Sequence, residues 1–167
     1  LILDVRNNGG GNLTTAEKLA ERFTNEKKLI GYMSYKTGPG HNEFSTPEAV
    51  YLEPPMDRVR WQKHTVVLTN RRSYSATNDF VNRMKQLDRV TVIGDKTGGG
   101  SGLPFSSELP NGWSVRFSAS PMYDPDMKHL EFGIEPDKKV DITSEDYNKG
   151  IDTIIEAARE YLHNHKQ

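Results

Sequence analysis

Residues 65–94 read TVVLTNRRSYSATNDFVNRMKQLDRVTVIG, and this stretch decides the fold. Thr65 to Thr69 is a short apolar run with β-branched residues, the mark of a buried strand. Asn70 to Ser75 is a turn. From Ala76 to Leu87 the apolar residues Phe80, Val81, Met84 and Leu87 recur at helical spacing. Val90 to Ile93 is a second strand. Strand, turn, helix, strand is a βαβ unit, and the chain is therefore read as α/β.

Upstream, Leu1 to Val5 (LILDV) reads as another buried strand, expected at the centre of the sheet. Arg6 to Leu13 is a glycine-rich turn. Thr14 is the expected N-cap of the next helix, with Glu17 completing a capping box. Ala16, Leu19, Ala20 and Phe23 form its apolar face, up to about Glu26. Leu29 to Tyr35 is the following strand, expected to run parallel to the first. A chain that opens inside an apolar strand, without Met or leader, is expected to be a domain spanning residues 1–167 and cut at its N-terminus.

Between the two units, Lys36 to Gln62 has no clear period and reads as a functional excursion whose apolar and aromatic residues shape a side-chain pocket. Downstream, Gly94 to Gly102 holds five glycines in nine residues. Trp113, Val115, Phe117 and Ala119 alternate after the turn Pro110-Asn111-Gly112, as in a half-buried strand. Phe132 to Asp137 is a turn, Val140 to Ile142 a short strand, and Ile151 to Leu162 the last helix.

Composition narrows the function. The chain has 167 residues, of which 22 are Lys or Arg and 23 are Asp or Glu. This near balance gives no electrostatic footprint for nucleic acid. No run of eighteen apolar residues spans a membrane. The mean hydropathy is −0.74, low for a compact domain. Without cysteine there is no disulfide, thiol nucleophile or cysteine metal site.

Three places can carry chemistry. A serine between Thr69 and Ala76 stands at the tip of a helix, where backbone N–H groups can hold a developing oxyanion. The plainer reading is that Ser73, Ser75 or Thr77 is only a helix cap. The triple glycines 9–11 and 98–100 follow strands and can reach one sheet edge, exposing free N–H groups. Neither is a dinucleotide fingerprint or a P-loop. Of the five histidines, only His41 lies in a loop of functional character, and none has metal-ligand spacing. Glu131, just before a glycine turn, is a carboxylate that could orient a base.

Four segments resemble peptidase family S41, the tail-specific or C-terminal processing serine peptidases. They are LILDVRNNGGG (1–11), VVLTNRRSYSAT (66–77), VIGDKTGGG (92–100), and LPNGWSVRF (109–117) with FGIEPD (132–137). The resemblance is nearest to a secreted or lipoprotein branch of Bacteroidota. It implies a ClpP/crotonase-like superhelix of parallel βα units. It makes Ser75 the nucleophile, with the oxyanion held by the N–H groups of Gly10 and Ala76. The family's usual lysine falls on Gly100, and its glutamate after the serine block falls on Asn78. The Thr-Gly-Gly-Gly form is instead similar to the tricorn-type branch, which uses a histidine and a glutamate. The glutamate matches Glu131. The histidine of that branch lies upstream of the first strand, and His41 is the in-chain substitute. The resemblance implies no cofactor or metal, a peptide or unfolded-protein substrate and an extracytoplasmic bacterial location. If the first strands are missing, the exposed sheet edge and apolar surface favour self-association. Two other readings stay open: an inactive peptide-binding domain of the same fold, and an acyl-CoA enzyme of crotonase type.

Overall fold

The computed structural model describes residues 1–56 and 60–165. Residues 57–59 of the Lys36–Gln62 excursion lie outside the described residues.

Strands β1 (Ile2–Asp4), β4 (Thr65–Thr69), β5 (Val90–Gly94) and β9 (Lys138–Lys139) form one parallel sheet in the order β1-β4-β5-β9. Helix α2 (Ala76–Lys85) links β4 to β5, which pair in register from Thr65–Val90 to Thr69–Gly94. All five β4 residues are buried because both sheet faces are covered. Val67 and Val92 face α2, packing with Phe80, Val81 and Met84. Val66, Leu68 and Ile93 face the last helix, α4 (Thr153–Asn164), through Ile154 and Ala158. The alternation of a strand thus feeds two cores.

The remaining strands are β2 (Lys28–Met33), β3 (Glu48–Leu52), β6 (Phe105–Glu108), β7 (Ser114–Phe117) and β8 (Met122–Tyr123). Helices α1 (Leu13–Ala20) and α3 (Ser144–Asn148) complete the set. Several expectations are corrected. β1 pairs only with β4 among the described residues, and so stands at an edge rather than at the centre. β2 is not parallel to β1. It belongs to a second sheet, ordered β3-β2-β8 and antiparallel throughout. At Gly31, where φ is +145°, the backbone presses so closely on Tyr123 O that no side chain fits. The excursion contains a regular strand, β3, which supplies the buried Leu52 to the core. The cap of α1 is Asn12, not Thr14: its side chain accepts from Thr15 N–H at 3.0 Å. The strand expected at Val140–Ile142 is instead β9, two residues earlier.

β6 and β7 form a separate hairpin through the expected turn at 110–112. It is not half-buried: Trp113 is 71% and Phe117 46% exposed. Phe105 and Phe117 pack edge-to-face with centroids 4.2 Å apart.

Arg6 ties the end of β1 to α4. It holds Asp4 at 2.6 Å and Asp152, the N-cap of α4, at 2.8 Å. Arg6→Ala is expected to lower stability by about 1–2 kcal/mol, as charge-assisted hydrogen bonds at a partly exposed site are lost. The hydrogen bonds from Arg6 hold the Asp4 carboxyl below its ordinary value of 3.8. The wild-type advantage is therefore complete above pH 3.8 and shrinks as pH falls through the lowered value. Chemical unfolding of both proteins at neutral and acid pH checks this.

Candidate functional site

The site forms where three loops meet at the carboxyl ends of β1, β4 and β5. Tyr74 N–H donates to Asn8 O at 3.0 Å, from the first glycine loop. Ser75 N–H donates to Gly99 O at 2.8 Å, and Gly98 N–H donates to Ser73 O at 2.9 Å, from the second. The serine turn is stitched between the two glycine loops.

The three hydroxyls of the turn do different work. Ser73 is fully buried, donates to Val5 O at 2.8 Å and accepts from Asn70 N–H at 3.1 Å. It is a structural tie. Thr77 donates to Asn8 Oδ1 at 2.8 Å. Ser75 occupies the N-cap position of α2, yet its side chain makes no capping hydrogen bond. Its backbone has φ +57° and ψ −125°, a strained conformation for a residue with a Cβ. The hydroxyl is thus free at the positive end of a helix.

Ala76 is the first residue of α2, and its N–H makes no hydrogen bond among the described residues. Gly10 lies against the same junction. A Cβ placed on it would stand 2.6 Å from Tyr74 O, 2.8 Å from Ser75 Cβ and 2.9 Å from Ala76 N. Only glycine lets the loop approach so closely, with φ at +98°. The Gly10 N–H donates to Asn8 Oδ1 at 3.0 Å, so an incoming oxygen competes with an amide for this donor.

Glu131 reaches the site from the 3-10 turn Leu130–Phe132. Its carbonyl accepts from Gly100 N–H at 3.1 Å. Its carboxylate lies beside Gly102, where an added Cβ would be 3.2 Å from Glu131 Oε2. That oxygen is buried and has no hydrogen-bond partner among the described residues, a costly state for a carboxylate. Asn78 holds this arrangement in place. Fully buried, it donates to Ser101 Oγ at 2.7 Å and to Leu130 O at 3.1 Å, and accepts from Thr97 Oγ1 at 2.5 Å. Asp79, next to it, is paired at 2.5 Å with the buried Arg83, and burial pushes its carboxyl up.

The structure does not bring His41 to this place. It is exposed in the loop around Glu43, and only its carbonyl is engaged, accepting from Lys36 Nζ at 3.1 Å. Among the described residues, no histidine lines the hollows at Ser75, and neither does any residue of 36–56 or 60–62. The described part of the excursion, expected to shape a side-chain pocket, thus does not line them. An apolar hollow of about 280 Å³ instead flanks Gly10 and Ala76, walled by Val5, Ala16, Leu19 and Phe80. Lys96 is turned to Glu135 at 3.0 Å. No group of three or more His, Asp or Glu side chains is placed to hold a metal among the described residues. No helix among them is long and apolar enough to cross a membrane.

Sequence reasoning missed Asn8 and Tyr74. Asn8 sits in the quoted Asn-Asn-Gly-Gly run, and short polar residues beside glycines commonly bond their own loop. Tyr74 explains Gly100: its ring fills the space a side chain at 100 would need, and φ there is +79°. Gly100→Lys is therefore expected to lower stability by about 2 kcal/mol or more, through overlap and backbone strain. It is expected to give no lysine-dependent hydrolysis. A thermal melt and a peptide assay on the full-length variant check both.

A crystal structure of a "putative peptidase" from Parabacteroides merdae superposes with a TM-score of 0.92 and 62% identity, over 97% of this chain and 51% of that one. The structure of mature CPAF superposes at 0.83 with 17% identity, over the whole of this chain and 45% of that one, a likeness of fold. A "Probable CtpA-like serine protease" of Staphylococcus saprophyticus is 27% identical over 142 residues, covering 84% of this chain. The chain spans about a quarter of that relative's length, 27%. The parallel sheet, the two glycine loops and the turn at Ser75 all lie within residues 1–140, the part matched by the family model, and the chain belongs to peptidase family S41.

Proposed function

We propose that this chain carries the nucleophile, the oxyanion donors and the base-orienting carboxylate of a serine peptidase acting near the C-termini of peptides or unfolded proteins. Ser75 Oγ attacks the scissile carbonyl carbon. Its proton passes to a histidine, the C–N bond breaks, and the leaving amine takes that proton. The N–H groups of Ala76 and Gly10 hold the tetrahedral oxyanion. Glu131 orients the histidine, and its unpartnered Oε2 is the acceptor left for an imidazole N–H. No histidine lines the site here, and the chain spans 51% of the Parabacteroides structure, so the base is assigned to the rest of the longer protein. The apolar hollow beside Gly10 and Ala76 receives the side chain of the residue whose carbonyl is attacked. The extracytoplasmic address remains part of this proposal.

The observation that carries the reading is the strained Ser75, whose hydroxyl is not used in capping, beside the free N–H of Ala76. A serine-reactive phosphonate applied to the full-length protein tests it. Labelling is expected on Ser75 by peptide mass spectrometry, and absent in Ser75→Ala. The second reading is a peptide-binding domain without turnover. The Gly10 N–H already bonded to Asn8 favours it. Absence of label on a protein that binds peptide would establish it.

A further inference from the structure

Two hollows open at Ser75. One, of about 120 Å³, is walled by Ala76, Gly100 and Leu103. The other, of about 570 Å³, is walled by Gly10, Tyr74 and Ser118. Arg116, on β7 of the exposed hairpin, lines both. The other charged residue in the two linings is Asp79, which is 2% exposed and already neutralised by Arg83. Of the charged groups lining these two hollows, the exposed one is therefore Arg116; the Glu131 carboxylate lies behind Gly102 and lines neither. That group is exposed, has no carboxylate within 4 Å, and makes no hydrogen bond among the described residues. A guanidinium is planar and always charged, and it matches a carboxylate with two parallel N–H donors. An exposed positive charge on the lining of a cleft attracts anions and repels cations.

We infer that Arg116 is a specificity residue that binds a carboxylate of the peptide lying at Ser75, either its terminal carboxylate or an acidic side chain. This rests on the peptidase reading of the site. The carboxylate would fix the register of the peptide, and so which bond meets Ser75. The hairpin that carries Arg116 joins neither larger sheet, so its charge is added to the site without altering the core.

The test is binding to the full-length protein carrying Ser75→Ala, with three fluorescent peptides of one apolar sequence. The first ends in a free carboxylate. The second ends in an amide. The third ends in an amide and contains one glutamate. Fluorescence anisotropy is expected to show the first or the third bound at least about fivefold more tightly than the second, a preference that fades with added salt. The first identifies the chain terminus as the ligand, and the third an acidic side chain. Arg116→Glu on the same background is expected to reverse the preference, and Arg116→Lys to keep part of it. Equal binding of all three peptides, or a preference that survives Arg116→Glu, would overturn the inference. These results are independent of turnover: hydrolysis undiminished in Ser75→Ala would defeat the nucleophile assignment instead.

Discussion

Replacing Ser75 by alanine is expected to abolish peptide hydrolysis by the full-length protein while leaving it folded. The loss in kcat is expected to be about 10⁴-fold or more, as when the nucleophile of a serine peptidase is removed. The structure separates this effect from misfolding. Ser75 makes no side-chain capping bond, so alanine deletes no stabilising contact. Alanine also keeps a Cβ, so the strain at φ +57° is neither relieved nor increased. The melting temperature is expected to move by no more than about 2 °C. Ser75→Gly should be equally inactive but more stable, by about 1 kcal/mol, because glycine adopts this backbone without steric cost. Inactivity with gained stability is a pattern that a merely structural serine would not produce. Ser73→Ala is the useful contrast, since it removes two hydrogen bonds from a fully buried hydroxyl. Parallel melts and kinetics of the three variants separate these roles.

Gly10→Ala is expected to reduce kcat by about 10²-fold or more and to cost about 1–3 kcal/mol of stability. One methyl group produces both effects. It would meet Tyr74 O, Ser75 Cβ and Ala76 N, all at 2.9 Å or less. The first glycine loop must then back away from the tip of α2. This moves one oxyanion donor from the other and disturbs the serine between them. Gly9→Ala is the control. No atom lies within 4 Å of a Cβ at residue 9, and the change should alter stability by no more than about 0.5 kcal/mol. If Gly10→Ala lowered stability but left kcat intact, Gly10 would be a packing residue and not an oxyanion donor.

The legible part of the fold was the unit built on β4, α2 and β5. Its strands are rich in apolar β-branched residues, and its helix carries a clean apolar face. Those signals are local. The error at β2 was of another kind. KLIGYM is a strand in either sheet, and its pairing with β3 and β8 is a tertiary contact that its own residues do not specify. The alternation from Trp113 to Ala119 reported which residues share a face, but not whether anything covers that face. The cap of α1 was misplaced because Asn12 and Thr14 are both good caps, and only the turn geometry chooses between them. At the site, Ser75, Gly10 and Ala76 are expected from the resemblance and the helix tip. The structure packs these three against one another, sets Glu131 behind the second glycine loop, and puts His41 in neither hollow at Ser75. The partners of Asn78 and the ring of Tyr74 against Gly100 depend on tertiary contact, which no local pattern encodes.

The stitching of the serine turn between the two glycine loops bears on when the site comes into being. Tyr74 is held by Asn8 and Ser75 by Gly99, contacts across 66 and 24 residues of chain. The strained backbone at Ser75 cannot be supplied by its neighbours in sequence. It is imposed from outside, once β1, β4 and β5 have aligned. Contacts of such long range close late in folding. A nascent chain released only as far as residue 90 would carry Ser75 as an ordinary, relaxed serine. Under the proposed mechanism, the backbone geometry that would make Ser75 reactive is thus acquired only when the sheet is complete.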